Sequence, residues 1–402
     1  MLSGQRATAA TNGVTSNQLV IDMEDKIHLL DSDQFPLAQM MSVSGAGDQG
    51  QFAKPGVSTG PALPRGTAYN PKHEWLEDEL NPRTDAVNFT TAYSTIATTI
   101  VVDNGAYFIA GSIILDGATQ EVMRVSSVST NTLTVVRNLN ADAAGFTISD
   151  NDPIVLLGDA ESEGAAAPTA NTTKTAAKFN YTQIFKRTVD ITGTQQATKQ
   201  YGGDDLINQR RKAGIDVLRD LEYSLFFGQR YIDTAGTTPL RAMGGVKFFV
   251  TSNITSASNA ALTEATFLTW LRGVFDRSSG PLYVYCSPVV MDAISGFARG
   301  KLLTSVKDDT YGVALTKYVT PHGEVYLIRE PVFAGATTAI GGYAVALTME
   351  NVQLLHLNGR GPKLRTNIQA NDVDGEKDEF MTETTCALRL EKSHGILTNV
   401  AS

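Results

Sequence analysis

Alternating apolar and polar residues mark two separate segments of the chain as β-strands. The first is KHEWLEDELNP at residues 72–82, an acidic segment that contains Trp75. The second is KFNYTQIFKRTVDITGTQQ at residues 178–196, whose alternation predicts one long strand. Neither segment carries the converging polar side chains of an active site. The pattern therefore raises the question of what two such strands do so far apart.

Short alternating runs fill residues 86–157, between those two strands. Turn-forming residues separate the runs at Asp103-Asn104-Gly105, Asp116-Gly117 and Thr130-Asn131. Four or five strands in about 70 residues predict a small β-barrel or sandwich. NPRTD at 81–85 precedes the segment and a low-complexity stretch at 159–178 follows it, so we expect a self-folding insertion.

Helical periodicity follows the second strand, and it predicts a helix between an N-cap at Asp204 and a C-cap at Gly228. About 24 residues at 1.5 Å each give a rod of roughly 36 Å. The predicted apolar stripe consists of Ile207, Gly214, Val217, Leu218, Leu221 and Leu225. Gly214 in the middle of a helix is unfavourable by about 1 kcal/mol relative to alanine, which suggests a close crossing partner.

The remaining segments complete the predicted order of elements. Residues 1–20 read as a polar arm, residues 20–41 regain apolar residues at helical spacing, and residues 43–70 are rich in Gly, Pro and Ser, as in an extended connector. Residues 262–350 predict a mixed α/β domain, and 351–402 predict mostly strands. Within 262–350 we expect helices at 264–275 and 289–298 and strands at 282–287, 324–330 and 342–349.

Composition is that of a soluble protein with two or three domains: 402 residues, of which 42% are hydrophobic. No apolar run approaches the ~20 residues of a membrane span, and the first residues lack the apolar segment of a signal peptide. Cys286 and Cys386 are expected to be free buried thiols of a reducing cytosol, although sequence does not decide their pairing. The net charge of −9 disfavours a protein whose main task is to grip a phosphate backbone.

Motifs that would carry catalysis, a cofactor or a metal fail in their details. GFARGK at 296–301 is too short for a phosphate loop, and NGRGPKLR at 358–365 has leucine where a third dinucleotide-binding glycine belongs. NDVDGEKDEF at 371–380 lacks both end ligands of a calcium loop. The five histidines have no paired spacing, and there is no GxSxG elbow, although a spatial Ser-His-Asp triad stays open. We predict no catalytic, cofactor or metal site.

One basic cluster stands out, at Arg210, Arg211 and Lys212 in the predicted helix. Successive helical residues point about 100° apart, so the three side chains do not form one tight patch. A solvated helix face and a weak, sequence-independent contact with phosphates are both open.

The order of segments resembles the major capsid proteins of tailed bacteriophages, which have the Hong-Kong-97-type fold. FPL (35–37), HEWLEDEL (73–80), NYTQIFKRTVDITGTQQ (180–196), RAMGG (241–245) and HG (394–395) resemble one subgroup, in which H-E-W-x-x-D-x-L and N-Y-T-Q-I-F recur. The resemblance covers nearly the whole chain except 86–157. It implies an α+β fold with an inserted small all-β domain.

The resemblance also divides the chain, and it makes the two strands the outgoing and returning strands of an E-loop, a hairpin that lies across a neighbouring subunit. The implied parts are an N-terminal arm (1–52), the outgoing E-loop strand with its connector (53–85), the insertion (86–157), the returning strand (158–200), the P-domain with its spine helix (201–261), the A-domain (262–350) and P-domain return strands (351–402). The implied intersubunit contacts are Trp75, Tyr181, Ile184, Phe185 and Val189, and the implied DNA-facing residues are Arg210, Arg211 and Lys212.

By this resemblance the protein is a non-enzymatic virion component that assembles in the bacterial cytoplasm. Pentamers and hexamers of it would form the icosahedral head shell around double-stranded DNA, which it would contact without sequence specificity. A portal protein and a separate scaffolding protein are implied partners, the latter because no helical, charged N-terminal extension of ~100 residues is visible, and a cement or decoration protein is possible. We expect 86–157 to bridge capsomers on the outer surface; a neutral ornament is the alternative.

Other functions stay open at the level of sequence. A phage tail or baseplate protein, or an adhesin, would use 86–157 to bind a ligand, and an encapsulin-like compartment would share the fold class. An enzyme ranks last, for lack of a converging polar constellation. Particle size, symmetry and cargo would separate these possibilities.

Overall fold

The fold is described from a computed structural model of the chain. The structure describes residues 35–42, 66–139, 145–168, 170–199, 203–278, 280–297, 302–303, 309–310, 313–314, 316–333 and 338–401. The chain divides into two compact units, one made of Met1–Trp75 and Lys178–Ser402 and the other of Leu76–Ala177. The expectations for the arm at 1–20, for residues 20–34 and for most of the connector lie outside the described residues.

The helices of the described residues are α1 Pro36–Ser42, α2 Gly193–Ala197, α3 Asp205–Phe227, α4 Val246–Phe249, α5 Glu264–Phe275, α6 Pro288–Phe297 and α7 Thr338–Gly341. The first strands are β1 Gly66–Ala68, β2 Lys72–Glu77, β3 Thr84–Ala86, β4 Thr99–Val101, β5 Ser112–Asp116, β6 Val122–Ser129, β7 Thr132–Val136, β8 Pro153–Asp159, β9 Ala176–Tyr181, β10 Gln183–Thr192, β11 Tyr231–Asp233 and β12 Leu240–Ala242. The later strands are β13 Ile254–Ala261, β14 Leu282–Cys286, β15 Leu302–Leu303, β16 Asp309–Thr310, β17 Val313–Ala314, β18 Thr316–Thr320, β19 Gly323–Arg329, β20 Ala344–Leu347, β21 Val352–Leu357, β22 Lys363–Arg365, β23 Gly375–Leu388 and β24 Gly395–Ala401. None of these helices is long and apolar enough to cross a membrane.

The long helix α3 confirms the predicted helix and both of its caps. The Asp204 side chain accepts hydrogen bonds from the backbone N–H groups of Leu206 and Ile207, which satisfies two of the free donors at the helix start. The buried face comprises Ala213, Val217, Leu221, Glu222, Leu225 and Phe226. Ile207, which the periodicity placed in the stripe, is 61% exposed, because the core does not extend under the first turn of the helix.

Helix α3 lies against a five-stranded sheet with the order β1-β21-β23-β10, and β22 also pairs with β23. β10 and β23 pair antiparallel over ten positions, from Gln183 opposite Thr384 to Thr192 opposite Gly375. The core between the sheet and the helix also receives Phe35, Leu37, Met40 and Met41 from α1 and its flank. This packing makes α3 the central element of its unit.

A seven-stranded sheet is the second large sheet of this unit, with the order β13-β24-β20-β14-β19-β18-β15; β11 pairs with β12 and β16 with β17 in separate two-stranded sheets. Helices α5 and α6 cover it, burying Phe267, Trp270, Leu271, Val290 and Ile294 against the strands. The predictions of helices at 264–275 and 289–298 and of strands at 282–287, 324–330 and 342–349 are confirmed as α5, α6, β14, β19 and β20, with ends shifted by a few residues.

Two strands of the seven-stranded sheet come from segments that the sequence-based division placed in the P-domain. β13 and β24 were expected among the P-domain strands, yet both belong to the seven-stranded sheet. β24 pairs with β20 antiparallel and with β13 parallel. Apolar alternation marks β24 as a strand but does not specify its partners, so the sequence does not indicate the sheet to which it belongs.

The unit Leu76–Ala177 contains a six-stranded sheet with the order β3-β8-β5-β6-β7-β4. A bridge between Val87 and Val102, which follow the two edge strands, closes the sheet into a barrel. Its core includes Ile100, Ile114, Met123, Leu133 and Ile154. Arg137 and the buried Glu121 form an ion pair of 2.6 Å, and Arg137 also donates to the carbonyl oxygens of Ser94 and Ala97. Closure removes the open edges that a six-stranded sheet would otherwise expose.

The strand predicted as continuous over 178–196 is interrupted at Thr182. β9 pairs with β2, whereas β10, directly after Thr182, pairs with β23. The last part of the segment is helix α2, because the Thr192 side chain accepts from the backbone N–H of Gln195 and caps a helical turn. One alternating pattern therefore covers two strands with different partners.

Candidate functional site

The two predicted strand segments at 72–82 and 178–196 pair with each other in part: β2 and β9 form a two-stranded ribbon. The ribbon has two different faces, because successive side chains of a strand point to opposite sides. Trp75 is 7% exposed, whereas its neighbour Leu76 is 72% exposed. Tyr69, just before β2, is 84% exposed and Leu80, just after it, is 93% exposed. A ribbon of this length is marginally stable alone, so its base has to be anchored.

Trp75 provides an apolar anchor at the base of the ribbon. Its ring lies 5.7 Å from the ring of Phe249, centroid to centroid. It also packs with Ala68, Leu355 and Ala387 in one small buried cluster. Burial of a tryptophan side chain removes a large apolar area from water, which stabilises the attachment of β2 to the five-stranded sheet.

Asn180 provides a polar anchor in β9 and is fully buried. Its side-chain amide donates to the backbone oxygens of Gly244 (2.9 Å) and Cys386 (2.7 Å). Its Oδ1 accepts from the backbone N–H groups of Gly244 (2.8 Å) and Tyr181 (2.9 Å). All of its hydrogen-bonding capacity is used, as a buried amide requires. Through this residue the NYTQ and RAMGG segments and β23 are joined at one point.

Two neighbours of Asn180 extend this polar anchor. The hydroxyl of the buried Thr182 donates to Glu383 Oε1 at 2.7 Å, and the other oxygen of Glu383 forms an ion pair with Arg360 at 2.5 Å. Gln183 accepts from the backbone N–H of Met243 at 3.1 Å. We call Asn180, Thr182, Gln183 and Glu383 the ribbon anchor. It fixes where β9 ends and β10 begins, which explains the interruption at Thr182.

Phe179 completes the base of the ribbon through contacts with cations. The Arg230 guanidinium lies 3.8 Å from the centroid of its ring, and the Lys72 ammonium lies 4.4 Å from it. Arg230 also donates to the backbone oxygen of Phe179 at 2.8 Å. Contacts of this kind contribute about 0.5–1 kcal/mol each at exposed sites. The ribbon is therefore held on both of its strands.

The predicted intersubunit residues fall into two groups in the structure. Trp75, Phe185 and Val189 are buried within their own chain, with 5–7% of each side chain exposed. Ile184 is 46% exposed, and Tyr181 is half-buried. Periodicity identified these residues as apolar strand positions, but it did not show which face the chain itself covers. The sequence analysis did not single out the exposed apolar residues Tyr69, Leu76 and Leu80, although Leu76 could have been found as the strand neighbour of the buried Trp75.

The three predicted DNA-facing residues also differ among themselves. Arg210 is engaged within the chain, at 2.6 Å from Asp378 and 2.7 Å from Glu376. The hydrogen bond to Asp378, followed by the charges of both carboxylates, raises the pKa of Arg210. Arg211 and Lys212 are exposed. The structure therefore does not group the three cations into one patch.

Gly214 has only an ordinary packing neighbour. A Cβ added at Gly214 would lie 3.7 Å from Cζ of Phe380, which is normal van der Waals contact. The close approach occurs instead at the end of α3, where a Cβ added at Gly245 would lie 2.5 Å from the Ser224 oxygen and 2.6 Å from the Leu225 oxygen. The second glycine of the RAMGG segment is therefore required by the crossing of two backbones.

The late HG segment contains a histidine with a structural role. His394 is fully buried; its Nδ1 accepts from the backbone N–H of Thr348 at 3.2 Å, and its Nε2 lies 3.1 Å from the Arg389 carbonyl oxygen. Burial lowers the pKa of His394 to about 4, so the ring is neutral near pH 7. Cys286 and Cys386 are buried and unpaired. Within the described ranges, no group of three or more His, Cys, Asp or Glu residues could hold a metal ion.

Two acidic residues at the core were not identified from the sequence. Glu222 of α3 and Glu330, directly after β19, are both fully buried. Glu222 interrupts the apolar stripe between Leu221 and Leu225, and this is the signal that could have identified it.

Comparison with known proteins gives a match over almost the full chain. The model of the SU10 major capsid protein family matches residues 6–401. The chain is also similar to the major capsid protein of Pseudomonas phage PaMx41, with 26% identity over 321 residues, which covers 75% of this chain and 74% of that protein.

Solved structures show weaker similarity. One chain of the holo-SrpI encapsulin complex from Synechococcus elongatus PCC 7942 has 14% identity and a TM-score of 0.43, covering 57% of this chain and 78% of that one. A chain from Mycobacterium phage Bobi has 7% identity and a TM-score of 0.42, covering 61% and 81% respectively. At these values the assignment rests on the family match.

Proposed function

The chain belongs to the SU10 major capsid protein family, and from this premise we propose how it builds a shell. It is a phage major capsid protein, a component of the virion that forms the head shell. We propose that pentamers and hexamers of it close an icosahedral shell around double-stranded DNA. Repetition of the same contacts over many copies gives weak individual contacts collective strength.

The order of elements supports the Hong-Kong-97-type division of the chain. The ribbon β2–β9 would be the E-loop, α3 the spine helix of a P-domain built on the five-stranded sheet, and the seven-stranded sheet the A-domain. This assignment moves β13 and β24 to the A-domain. Residues 1–52 keep the assignment of N-terminal arm, of which only 35–42 are described.

The observation that carries the proposal is the contrast between the two faces of the ribbon. Its base is fixed by Trp75 and the ribbon anchor, whereas Leu76 and Leu80 leave most of their apolar surface in water. An exposed leucine on a strand that is held in place, followed closely by a second exposed leucine, offers apolar surface for association. We propose that Tyr69, Leu76, Leu80 and Ile184 contact a neighbouring subunit.

A substitution at Leu76 tests this proposal. We expect Leu76→Asp to fold but to lose shell assembly, because a carboxylate would have to be desolvated in the subunit contact. The measurement is the sedimentation profile of the variant under conditions in which the wild-type protein forms shells, with circular dichroism to show folding.

Glu74→Gln is the matched control, since Glu74 is an exposed residue of the same strand and the same face. It should assemble like the wild-type protein. Shell formation by Leu76→Asp at the wild-type yield would overturn the proposed contact.

The insertion is the second part of the proposal. We propose that the barrel at 84–159 bridges neighbouring capsomers, a task that a cement protein would otherwise perform. A closed barrel with its own core suits this task, because it keeps its shape without support from the strands around it.

The remaining proposals concern partners and chemistry. We propose that Arg211 and Lys212, rather than Arg210, make scattered contacts with packaged DNA, since Arg210 is already paired with two carboxylates. A portal protein and a separate scaffolding protein are proposed partners, and a decoration protein is a further possible one. We propose a structural role without catalysis.

A further inference from the structure

A buried carboxyl group lies under α1, and a second buried carboxyl group lies beside the first. Glu222 is in the fourth quarter of α3, and Glu330 follows β19; both are fully buried. One oxygen of Glu222 accepts from the backbone N–H of Leu37 at 2.8 Å, and the other accepts from that of Ala38 at 2.7 Å. The carboxyl group of α3 thus satisfies two donors at the start of α1, which have no partner inside a helix.

Glu330 is less well satisfied. Its Oε1 accepts from the backbone N–H of Val332 at 3.1 Å. Among the described residues, its buried Oε2 has no hydrogen-bond partner other than the carboxyl group of Glu222 beside it. In the described part of the chain, neither glutamate forms an ion pair with a lysine, arginine or histidine. A buried carboxylate without a cation is strongly unfavourable, so the pair retains a proton.

The electrostatics agree with this geometry. Burial raises the pKa of Glu222 to about 7, against the two N–H groups that lower it. Burial, followed by the negative charge of Glu222, raises the pKa of Glu330 to about 10. Two tyrosines of β14 are further titratable groups at this cluster. The Tyr285 hydroxyl contacts Met40 Sδ at 3.2 Å, and burial, followed by the charges of both glutamates and of Tyr283, raises the pKa of Tyr285 well above the ordinary value.

We propose that Glu222 and Glu330 act as a proton-dependent clasp that holds α1 on α3. With a proton on Glu330, a single negative charge remains and is shared by the N–H groups of Leu37 and Ala38. Loss of that proton would leave two facing carboxylates in a core that contains no described cation partner. The repulsion is relieved when α1 leaves, because α1 covers Glu222 and has only seven residues.

The sign of the pH dependence follows from linkage. A carboxyl group whose pKa is raised in the closed state binds more protons closed than open, so closing becomes less favourable as pH rises from about 4.5 to the raised pKa. Between about pH 7.5 and 9.5 the difference is the one proton that the closed pair retains and the open pair has lost. The opening equilibrium constant of α1 should then rise on the order of tenfold per pH unit.

Hydrogen–deuterium exchange of the full-length protein tests the clasp, with rates of peptides covering 35–42 corrected for intrinsic exchange. In the wild-type protein we expect the opening constant to rise by about tenfold per pH unit between about pH 7.5 and 9.5. Glu330→Gln keeps the shape of the protonated side chain but cannot lose the proton, so its profile should be flat in this range.

Two further variants separate the clasp from an effect of α1 packing and from titration of the Tyr285 phenol. Met40→Leu changes the packing of α1 without a charge, and Tyr285→Phe removes the phenol; both should keep the wild-type slope. A flat profile for the wild-type protein, or the same slope in Glu330→Gln as in the wild-type protein, would overturn the proposal. Loss of the slope in Tyr285→Phe alone would also overturn it and assign the response to the phenol.

Discussion

At the scale of single residues, the surroundings of a residue determine what it contributes to the fold. Gly214 lies in mid-helix beside Phe380 at an ordinary packing distance, whereas Gly245 lies where two backbones cross. Asn180 and His394 are buried polar residues whose hydrogen bonds hold separate segments together. At this scale the fold is determined by a few positions at which only one side chain, or none, fits.

The two glycines give opposite predictions for alanine substitution. Gly214→Ala should stabilise the protein by about 0.5–1 kcal/mol, because alanine lowers the entropy of the unfolded chain and its methyl group has room beside Phe380. Gly245→Ala should destabilise it by roughly 1–3 kcal/mol, because the methyl group would overlap the Ser224 and Leu225 oxygens. Urea denaturation of the unassembled subunit measures both, and equal effects of the two substitutions would contradict the crossing geometry.

His394 gives a prediction on pH. Its pKa is lowered from 6.5 to about 4 in the fold, so its contribution is fully present above about pH 6.5 and is lost as pH falls towards about 4. This lowering of the pKa of His394 corresponds to roughly 3 kcal/mol of folding stability, which is lost on full acidification. His394→Gln cannot titrate, so it should be less stable than the wild-type protein near pH 7, and this difference should shrink on acidification.

The matched control for this prediction is His322→Gln, since His322 is exposed. Thermal unfolding midpoints between about pH 4 and 7.5 provide the comparison. A stability difference between His394→Gln and the wild-type protein that stays constant over this range would show that His394 does not titrate with folding.

At the scale of elements, local sequence signals predicted which helices and strands form, whereas long-range pairing determined the sheet to which each strand belongs. Helix α3 was predictable with both caps, because Asp204, the apolar stripe and Gly228 are all local signals. The break at Thr182 was not predictable, because it depends on Glu383, far along the chain. The same reason applies to β24, whose alternation is visible although its place in the seven-stranded sheet is not.

The candidate site was predictable to a similar degree. The sequence identified the two strands that meet in the ribbon, and Trp75 and Asn180 both lie in segments selected for their resemblance to a family. It did not show that the chain itself covers Trp75, Phe185 and Val189. Burial is a property of the folded chain. Periodicity therefore identifies an apolar face but does not identify the residues that cover it.

At the scale of the whole molecule, the barrel is a separate compact unit within the sequence of a shell-forming chain. Its first and last strands, β3 and β8, pair with each other, so the barrel begins and ends at one place. This arrangement lets the barrel be removed without separating the strands that lead to it.

Removal of the barrel therefore tests the bridging role. We expect a variant in which a short Gly-Ser linker replaces 84–159 to form shells that come apart at a lower temperature than wild-type shells, because the contacts between capsomers would be lost. Light scattering during heating measures this. Shells of unchanged thermal stability would show that the barrel is an ornament.

Electron microscopy of the purified full-length protein shows directly whether this chain closes into a shell. Negative staining after expression alone, and after co-expression with a candidate scaffolding protein, shows particle size and symmetry. We expect closed, angular particles of uniform diameter in at least one of these preparations. Monomers, small rings or tubes in both preparations would contradict it.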